Sequence, residues 1–338
     1  MRKALLLGTA IMLAACSAQQ PQGYHLAKTM PVAGEGGWDF VSVDSSARRV
    51  YIAHSTKADV LDADSGDVIG EVMPIAGAHG VAVAPEAGYG FATNGKTDKV
   101  TVFDLKTLAA KSEIKTGKKP DGIIYDPATK RVFVFNGGSD SASVINAASA
   151  KEIGTIALKG KPEFAVADGH GHVYVNLEDK NEMLAIDSRH MKVMKRWPLA
   201  SCEEPSSLAM DEHNQRLFAG CGNSKLAVVN AKDGHVITTL PIGEHVDATA
   251  FDPSTREIIS AAADGTLTVI AQDDADHYHV AQTIKTPLRS KTFGLDEKTH
   301  RLFLPSAGFG PATAPSKDNP NGHPQVLPGT FNVLIFDR

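Results

Sequence analysis

The chain has 338 residues, with 34 basic and 39 acidic side chains and a net charge of −5 before histidines. If Arg2 and Lys3 leave with a cleaved leader, 32 basic residues face 39 acidic ones, a net charge of about −7 (32 − 39). No run of Lys or Arg forms the basic stripe that phosphates need, so nucleic acid is not an expected partner. The sequence also lacks CxxC, CxxCH, Walker and GxSxG motifs, which removes the common zinc, haem, nucleotide and serine-hydrolase signatures.

Residues 1–15 have the pattern of a lipoprotein signal peptide. Basic residues Arg2 and Lys3 are followed by the apolar run Ala4–Leu13, and small residues then precede Cys16. Leu-Ala-Ala-Cys resembles a bacterial lipobox, which implies lipidation of Cys16 followed by a polar tether to residue 23. The alternative is an ordinary leader whose cleavage site happens to contain a cysteine. We expect a periplasmic protein held at the outer membrane by its lipid alone, because about ten apolar residues cannot span a bilayer.

Seven units of roughly 40 residues follow, at a period typical of propeller blades. Each opens with an apolar run that ends at an acidic or turn residue: Gly36–Asp44, Gly77–Pro85, Lys118–Pro127, Gly160–Asp168, Glu203–Asp211, Glu244–Pro253 and Pro287–Asp296. A polar turn and further apolar runs complete each unit, giving four short strands. This pattern predicts an all-β chain folded as a seven-bladed β-propeller.

The two ends of the chain predict how the ring closes. The last unit stops at its third strand, in Phe331–Arg338, and therefore lacks an outer strand. Tyr24–Val32 precedes the first unit and has no partner of its own. Pairing it with Asn332–Asp337 would remove an open sheet edge. We therefore predict that residues 24–338 form one propeller domain closed by its N-terminal strand, and we expect a monomer.

The two cysteines after Cys16 both fall in the fifth unit. Cys202 precedes its first strand and Cys221 ends its second, and these two ends are neighbours in an antiparallel pair. The sequence therefore predicts a disulfide, which an exported compartment allows. The alternative is two buried thiols.

One face of the propeller is predicted to carry the functional residues. Blade-to-blade connections and the loops between second and third strands share this face, whereas the short turns opposite it serve local geometry. Counting five residues back from the end of each first strand gives a ring at the mouth of the central channel: Asp39, His79, Asp121, Glu163, Ser206, Asp247 and Lys291. Converging carboxylates repel one another, so a bound cation or cationic ligand would stabilise them.

The ends of the second strands form a further layer on the same face. The polar candidates among them are His54, Asn94, Asn136 and Glu178. His54 and His79 belong to adjacent blades and, with Asp39 and Asp121, are the candidate ligands for calcium or zinc. The alternative is that these polar residues line a wet channel, cap backbone groups or pair with Lys291 and Arg289, without any ligand.

The seventh unit carries a long insertion, Gly308–Gly329, between its second and third strands. Its proline content argues against regular structure, and its position predicts a lid or docking arm over the channel mouth. Trp38 and Trp197 are interpreted as blade-packing aromatics, with ligand stacking as an alternative for Trp38.

The repeats resemble the bacterial YncE-like, YVTN-repeat β-propellers over almost the whole chain after the leader. The resemblance rests on GGWDFVSVD, KKPDGIIYDPATKRVFVFNG, GKPEFAVADGHGHVYVNLEDKNE, DGTLTVI and PGTFNVLIFDR, although the Tyr-Val-Thr-Asn tetrapeptide itself is absent. It implies an exported seven-bladed propeller related in fold to the quinoprotein amine dehydrogenase β-chain. It implies no activity and no catalytic residue, because function lies in the site and not in the fold.

Three functions are compatible with these features. The first is a non-enzymatic binding or scaffold module that takes a small ligand or a periplasmic protein at its mouth. The second is a metal-dependent hydrolase of lactones, with Asp39, His79, Asp121, Glu163 and Asp247 as ligands or base. An electron-transfer accessory is the third, suggested only by the amine dehydrogenase analogy.

Overall fold

The computed structural model describes residues 23–312 and 324–338. The predicted leader, the Cys16 lipidation site and the tether up to residue 22 lie outside these residues, as does the middle of the insertion. No helix in the described part of the chain is long and apolar enough to cross a membrane.

Seven four-stranded antiparallel sheets confirm the predicted β-propeller. Blades one to four contain β2 (Trp38–Asp44), β3 (Arg49–His54), β4 (Lys57–Asp62), β5 (Val68–Val72), β6 (Ala78–Ala84), β7 (Tyr89–Asn94), β8 (Lys99–Asp104), β9 (Ala110–Lys115), β10 (Pro120–Asp126), β11 (Arg131–Asn136), β12 (Ser141–Asn146), β13 (Lys151–Ala157), β14 (Pro162–Ala167), β15 (His172–Leu177), β16 (Glu182–Asp187) and β17 (Lys192–Pro198). Blades five and six contain β18 (Pro205–Asp211), β19 (Arg216–Cys221), β20 (Lys225–Asn230), β21 (Val236–Pro241), β22 (Val246–Asp252), β23 (Glu257–Ala262), β24 (Thr266–Gln272) and β25 (Tyr278–Lys285). Two single turns of 3₁₀ helix, Pro85–Ala87 and Glu178–Lys180, interrupt the loops.

The seventh blade combines both ends of the chain, as the sequence predicts. Its strands, in order from the channel outward, are β26 (Gly294–Asp296), β27 (Arg301–Ser306), β30 (Asn332–Asp337) and β1 (His25–Pro31). β1 runs antiparallel to β30 from His25 opposite Asp337 to Pro31 opposite Asn332. The backbone N–H and C=O of Tyr24 also bond the Gln282 side chain of blade six, at 2.9 and 2.8 Å. These contacts close the ring.

Apolar residues from neighbouring blades pack into one cluster per blade interface. Second and third strands are almost wholly buried and carry the largest side chains, such as Phe91, Phe133, Phe218 and Phe303. One cluster, for example, joins Val50 and Ile52 of blade one to Phe303 and Val333 of blade seven. The core is therefore distributed around the ring, and the channel side of each blade is left to polar groups.

The disulfide between Cys202 and Cys221 is confirmed. Their Cα atoms lie 5.2 Å apart, and both residues are buried. Pro205 pairs with Cys221 across β18 and β19, which brings the two cysteines together as the sequence predicts.

The insertion contains regular structure, contrary to the sequence-based expectation. β28 (Phe309–Ala312) and β29 (Pro324–Val326) form a two-stranded hairpin. Proline was the reason for excluding strands, but Pro311 and Pro324 stand in a ribbon of two edge strands, where a missing backbone donor is tolerated. Residues 313–323 of the insertion lie outside the described part.

Candidate functional site

A backbone irregularity aims the first-strand residues at the channel. In blades one to six the pairing of first and second strands breaks at one place, for instance between Trp38 and Val41 on β2 and between Pro120 and Ile123 on β10. The unpaired residues include, in blade order, Asp39, His79, Asp121, Glu163, Ser206 and Asp247. A β-bulge re-aims a side chain and is common beside functional sites. With Lys291, which precedes β26, these residues are called the mouth ring below.

Asp39, His79 and Asp121 form the closest group in the mouth ring. His79 Nδ1 lies 2.6 Å from Asp39 Oδ2 and 3.4 Å from Asp121 Oδ1. One ligating atom from each of the three side chains lies within 4.8 Å of the other two, a spacing that could hold a metal ion. Blades one, two and three each supply one residue, so the group depends on correct packing of adjacent blades.

Neighbouring residues support this group. Thr292 Oγ1 donates to the Asp39 carbonyl at 2.9 Å, and Thr93 Oγ1 donates to the Asp121 carbonyl at 3.1 Å. A Cβ on Gly95 would lie 2.5 Å from the His79 ring, so only glycine leaves room for the imidazole there. A cleft of about 710 Å³ opens beside His79 and Asp121 and is also lined by Lys96.

The remaining charged members of the ring form two ion pairs. Lys291 Nζ lies 2.6 Å from Asp247 Oδ2. Lys161 Nζ lies 3.2 Å from Glu163 Oε2 and also contacts Glu178. Lys161 directly precedes β14 and is absent from the predicted site; its position next to the first strand that carries Glu163 is the signal that points to it.

Burial, with repulsion between neighbouring acids, raises the pKa of every carboxylate in the ring. Burial, followed by repulsion from Asp39, raises the pKa of Asp121 to about 6. Burial and repulsion from Asp121 raise the pKa of Glu163 to about 8. The pKa values of Asp39 and Asp247 are raised as well, again mainly by burial. The hydrogen bond to Asp39 raises the pKa of His79, so this imidazolium partly compensates the carboxylates.

The structure does not bring the predicted second layer into this group. His54 is buried inside blade one, where Nδ1 lies 2.7 Å from Asp59 Oδ2 and the ring packs 4.0 Å from that of Phe331. Asn94 donates to Thr101 Oγ1 at 2.9 Å, and Asn136 to Ser141 Oγ at 3.2 Å, so both make contacts inside their own blades. Of this layer, Glu178 reaches the ring, through Lys161.

These features define a seven-bladed β-propeller whose channel mouth is acidic and contains a two-carboxylate, one-histidine group. Solved structures support the fold. The chain is similar to a structure described as "Kuenenia stuttgartiensis Hydrazine Synthase", with TM-score 0.70 and 16% identity over 81% of this chain and 94% of that one. It is also similar to "Structure of U3-55K", with TM-score 0.73 and 8% identity over 91% and 97%. At these identities the similarity concerns the fold alone.

No protein-family profile matches the sequence, and no curated protein matches it. The function is therefore argued from the site.

Proposed function

We propose that this protein is a non-enzymatic binding module that holds a divalent cation or a cationic ligand at its channel mouth. The observation that carries the proposal is the convergence of Asp39, His79 and Asp121, whose ligating atoms lie within 4.8 Å of one another. A propeller mouth built from residues of several blades offers a rigid rim to a small ligand or a protein partner.

Electrostatics favours a cation in this group. Burial raises the pKa of both Asp39 and Asp121, and repulsion from Asp39 adds to the shift of Asp121, so keeping the two side chains ionised at this place costs free energy. His79 Nδ1 faces both carboxylates, so its proton already occupies the position between them. A divalent ion would compensate the same charges more fully. One nitrogen and two oxygen donors suit zinc or manganese better than calcium, which prefers oxygen ligands alone.

Metal content of the full chain, purified without chelator, tests this proposal. We expect about one equivalent of zinc or another divalent ion, retained or restored after dialysis against that ion. Asp121→Asn should lose the bound ion. Asp233 is an exposed turn residue on the opposite face, so Asp233→Asn should retain the ion. Less than about 0.1 equivalent in the wild type, with no uptake on adding calcium, zinc or manganese, would leave the cation proposal unsupported.

A metal-dependent hydrolase of lactones is the second candidate, and the three-residue group favours it specifically. Three protein ligands leave positions open on a metal that polarises a carbonyl and activates water. Burial raises the pKa of Glu163 to about 8, a direction that suits a general acid for the leaving alkoxide. Metal-dependent hydrolysis of a lactone panel, lost in Asp121→Asn, would support the hydrolase; bound metal without turnover would support the binding module.

We further propose that the protein is an exported monomer of the YncE-like group, anchored at the outer membrane through Cys16. The leader and the lipobox-like Leu-Ala-Ala-Cys support this, together with the propeller fold. Membrane fractionation of wild type and Cys16→Ala tests the anchor. The wild type should sediment with outer membranes and the variant should be soluble in the periplasm; equal release of both would refute lipid anchoring.

A further inference from the structure

A second cavity lies at the edge of the mouth, between blades seven and one and under the β28–β29 hairpin. It has a volume of about 470 Å³, within the range of small-molecule pockets. The side chains that matter for recognition are Glu35, Trp38, Arg289, Lys291, Phe309 and Val326. We call this cavity the hairpin pocket. It shares only Lys291 with the mouth ring, and it contains none of the three candidate metal ligands.

Aromatic packing fixes two walls of the hairpin pocket. The Trp38 ring lies 6.0 Å from Phe309 in the hairpin and 5.3 Å from Phe331 beneath it. The hairpin is tied to the blade by the Gly308 N–H, which donates to Thr330 Oγ1 at 2.9 Å, and by the Leu327 N–H, which donates to the Gly308 carbonyl at 2.9 Å. The aromatic walls are therefore positioned before any ligand arrives, which limits the entropy lost on binding.

The charges around the hairpin pocket favour an anion. The Arg289 guanidinium lies 5.6 Å from the centre of the Phe309 ring, and among the described residues it forms no ion pair with a carboxylate. Lys291 adds a second positive charge, although its Nζ also pairs with Asp247 Oδ2 at 2.6 Å. Of the described residues in the lining, Glu35 is the one acidic side chain. Among the described residues Arg289 is thus an exposed guanidinium without a carboxylate partner, next to the Phe309 ring. A guanidinium binds a carboxylate with two parallel hydrogen bonds.

We propose that the hairpin pocket is a binding site for a small aromatic carboxylate, distinct from the cation site in the mouth ring. The ring of the ligand packs against Trp38 and Phe309, and its carboxylate binds Arg289 with help from Lys291. Aromatic contacts supply affinity, and the charge-assisted pair to Arg289 supplies the discrimination between a carboxylate and its neutral analogue.

Titration of the full chain with 2-aminobenzoate, and separately with its neutral analogue 2-aminobenzamide, tests the ligand class. Both probes fluoresce, and they differ in one group, a carboxylate in place of a neutral carboxamide of similar size. We expect saturable one-to-one binding of the carboxylate, with the amide about tenfold weaker, as loss of one charge-assisted hydrogen bond requires. Absence of saturable carboxylate binding, or equal affinity for the two probes, would overturn the proposal.

Two substitutions with opposite expected effects on 2-aminobenzoate affinity locate the site. Arg289→Gln should weaken 2-aminobenzoate binding about tenfold, whereas Glu35→Gln should strengthen it about threefold by removing a repulsive carboxylate. Arg256→Gln, an exposed arginine in the turn after β22, is the matched control and should change nothing. The reverse signs would show that the pocket prefers cations and would contradict the proposal.

Chelation separates this inference from the proposed function. The hairpin pocket uses no metal ligand, so 2-aminobenzoate affinity should be the same with and without chelator and in Asp121→Asn. Binding that disappears under either condition would place the carboxylate on a metal in the mouth ring and would refute a separate site. Failure of the metal tests, by contrast, leaves the probe titrations unaffected.

Discussion

The mouth face and the turn face of this propeller each carry a ring of carboxylates, and β22 contributes one residue to each. Asp247, in the mouth ring, has a raised pKa because it is buried among other acids. Asp252 lies five residues further along and ends the strand. Its carboxylate accepts from the Ser254 N–H at 3.0 Å and from the Thr255 N–H at 3.3 Å, and its Oδ2 lies 2.6 Å from His300 Nδ1. Burial alone would raise its pKa, but these donors lower it.

The hydrogen-bonding arrangement of Asp252 recurs around the turn face. The turn aspartates end the first strands and accept from the residues that follow: Asp44, Asp126, Asp168, Asp211, Asp252 and Asp296. On the turn face, ionised carboxylates complete local structure. On the mouth face, ionisation works against folding unless something positive binds. Residue type alone therefore does not mark a binding site; the number of hydrogen-bond donors around each carboxylate does.

Removing a turn carboxylate should have the largest effect. Asp296 is fully buried, lies 2.7 Å from Arg48, and has a pKa lowered to about 2 because that ion pair and the hydroxyl donors outweigh burial. Asp296→Asn should cost about 4 kcal/mol of unfolding free energy at pH 7, since it leaves Arg48 with only the exposed Asp64 as a partner and weakens the hydrogen bond from Thr299. Asp121→Asn should cost less than about 1 kcal/mol, because the charge it removes is opposed by burial.

Urea denaturation of the two variants measures this difference. Because the pKa of Asp296 is lowered on folding, its carboxylate stabilises the fold above its ordinary pKa, and this stabilisation is lost as pH falls towards 2. The loss of unfolding free energy in Asp296→Asn should therefore shrink in acid. Equal penalties for the two variants would remove the distinction between the faces.

Reduction of the disulfide should have the next largest effect. Cys202 and Cys221 are separated by 19 residues, a loop for which chain entropy gives about 3 kcal/mol of stabilisation. The loop leads Glu203, Glu204 and Ser206 to the mouth face, so hydrogen exchange after reduction should accelerate there before it does on the turn face. Thiol titration of denatured, unreduced protein, without Cys16, provides the check: two free thiols would contradict the bond.

Glu163→Gln should have a smaller effect than reduction of the disulfide, and it should stabilise the fold instead of destabilising it. The folded-state pKa of Glu163, about 8, exceeds its ordinary value of 4.5, so the wild type loses stability as pH rises from about 4.5 to 8. The variant should match the wild type at pH 4 and be about 1 kcal/mol more stable at pH 8. Lys161 keeps Glu178 as a partner in the variant. Thermal melts across this pH range measure the effect, and a variant less stable at pH 8 would show that the Lys161 pair dominates.

The sequence predicted the fold, the closure and the disulfide because each depends on strand order and repeat length. It also predicted where the first-strand residues of the mouth ring lie, since the bulge falls at the same distance from each turn; their binding role stays a prediction. It could not show that His54 turns into blade one, because the end of β3 is set by packing against Phe331, far away in the chain. The hairpin pocket was equally hidden, since Arg289 and Phe309 meet Trp38 only when the ring closes. The leader and the lipid anchor stay predictions.

The central claim is that Asp39, His79 and Asp121 hold a divalent cation. Anomalous diffraction from crystals of the full chain grown with zinc is the most direct measurement. We expect one strong peak about 2.0–2.2 Å from His79 Nδ1 and from an oxygen of each carboxylate. The same peak should be absent in crystals of Asp121→Asn. Crystals grown in zinc that show no peak at the mouth ring, or only peaks at surface histidines elsewhere, would contradict it.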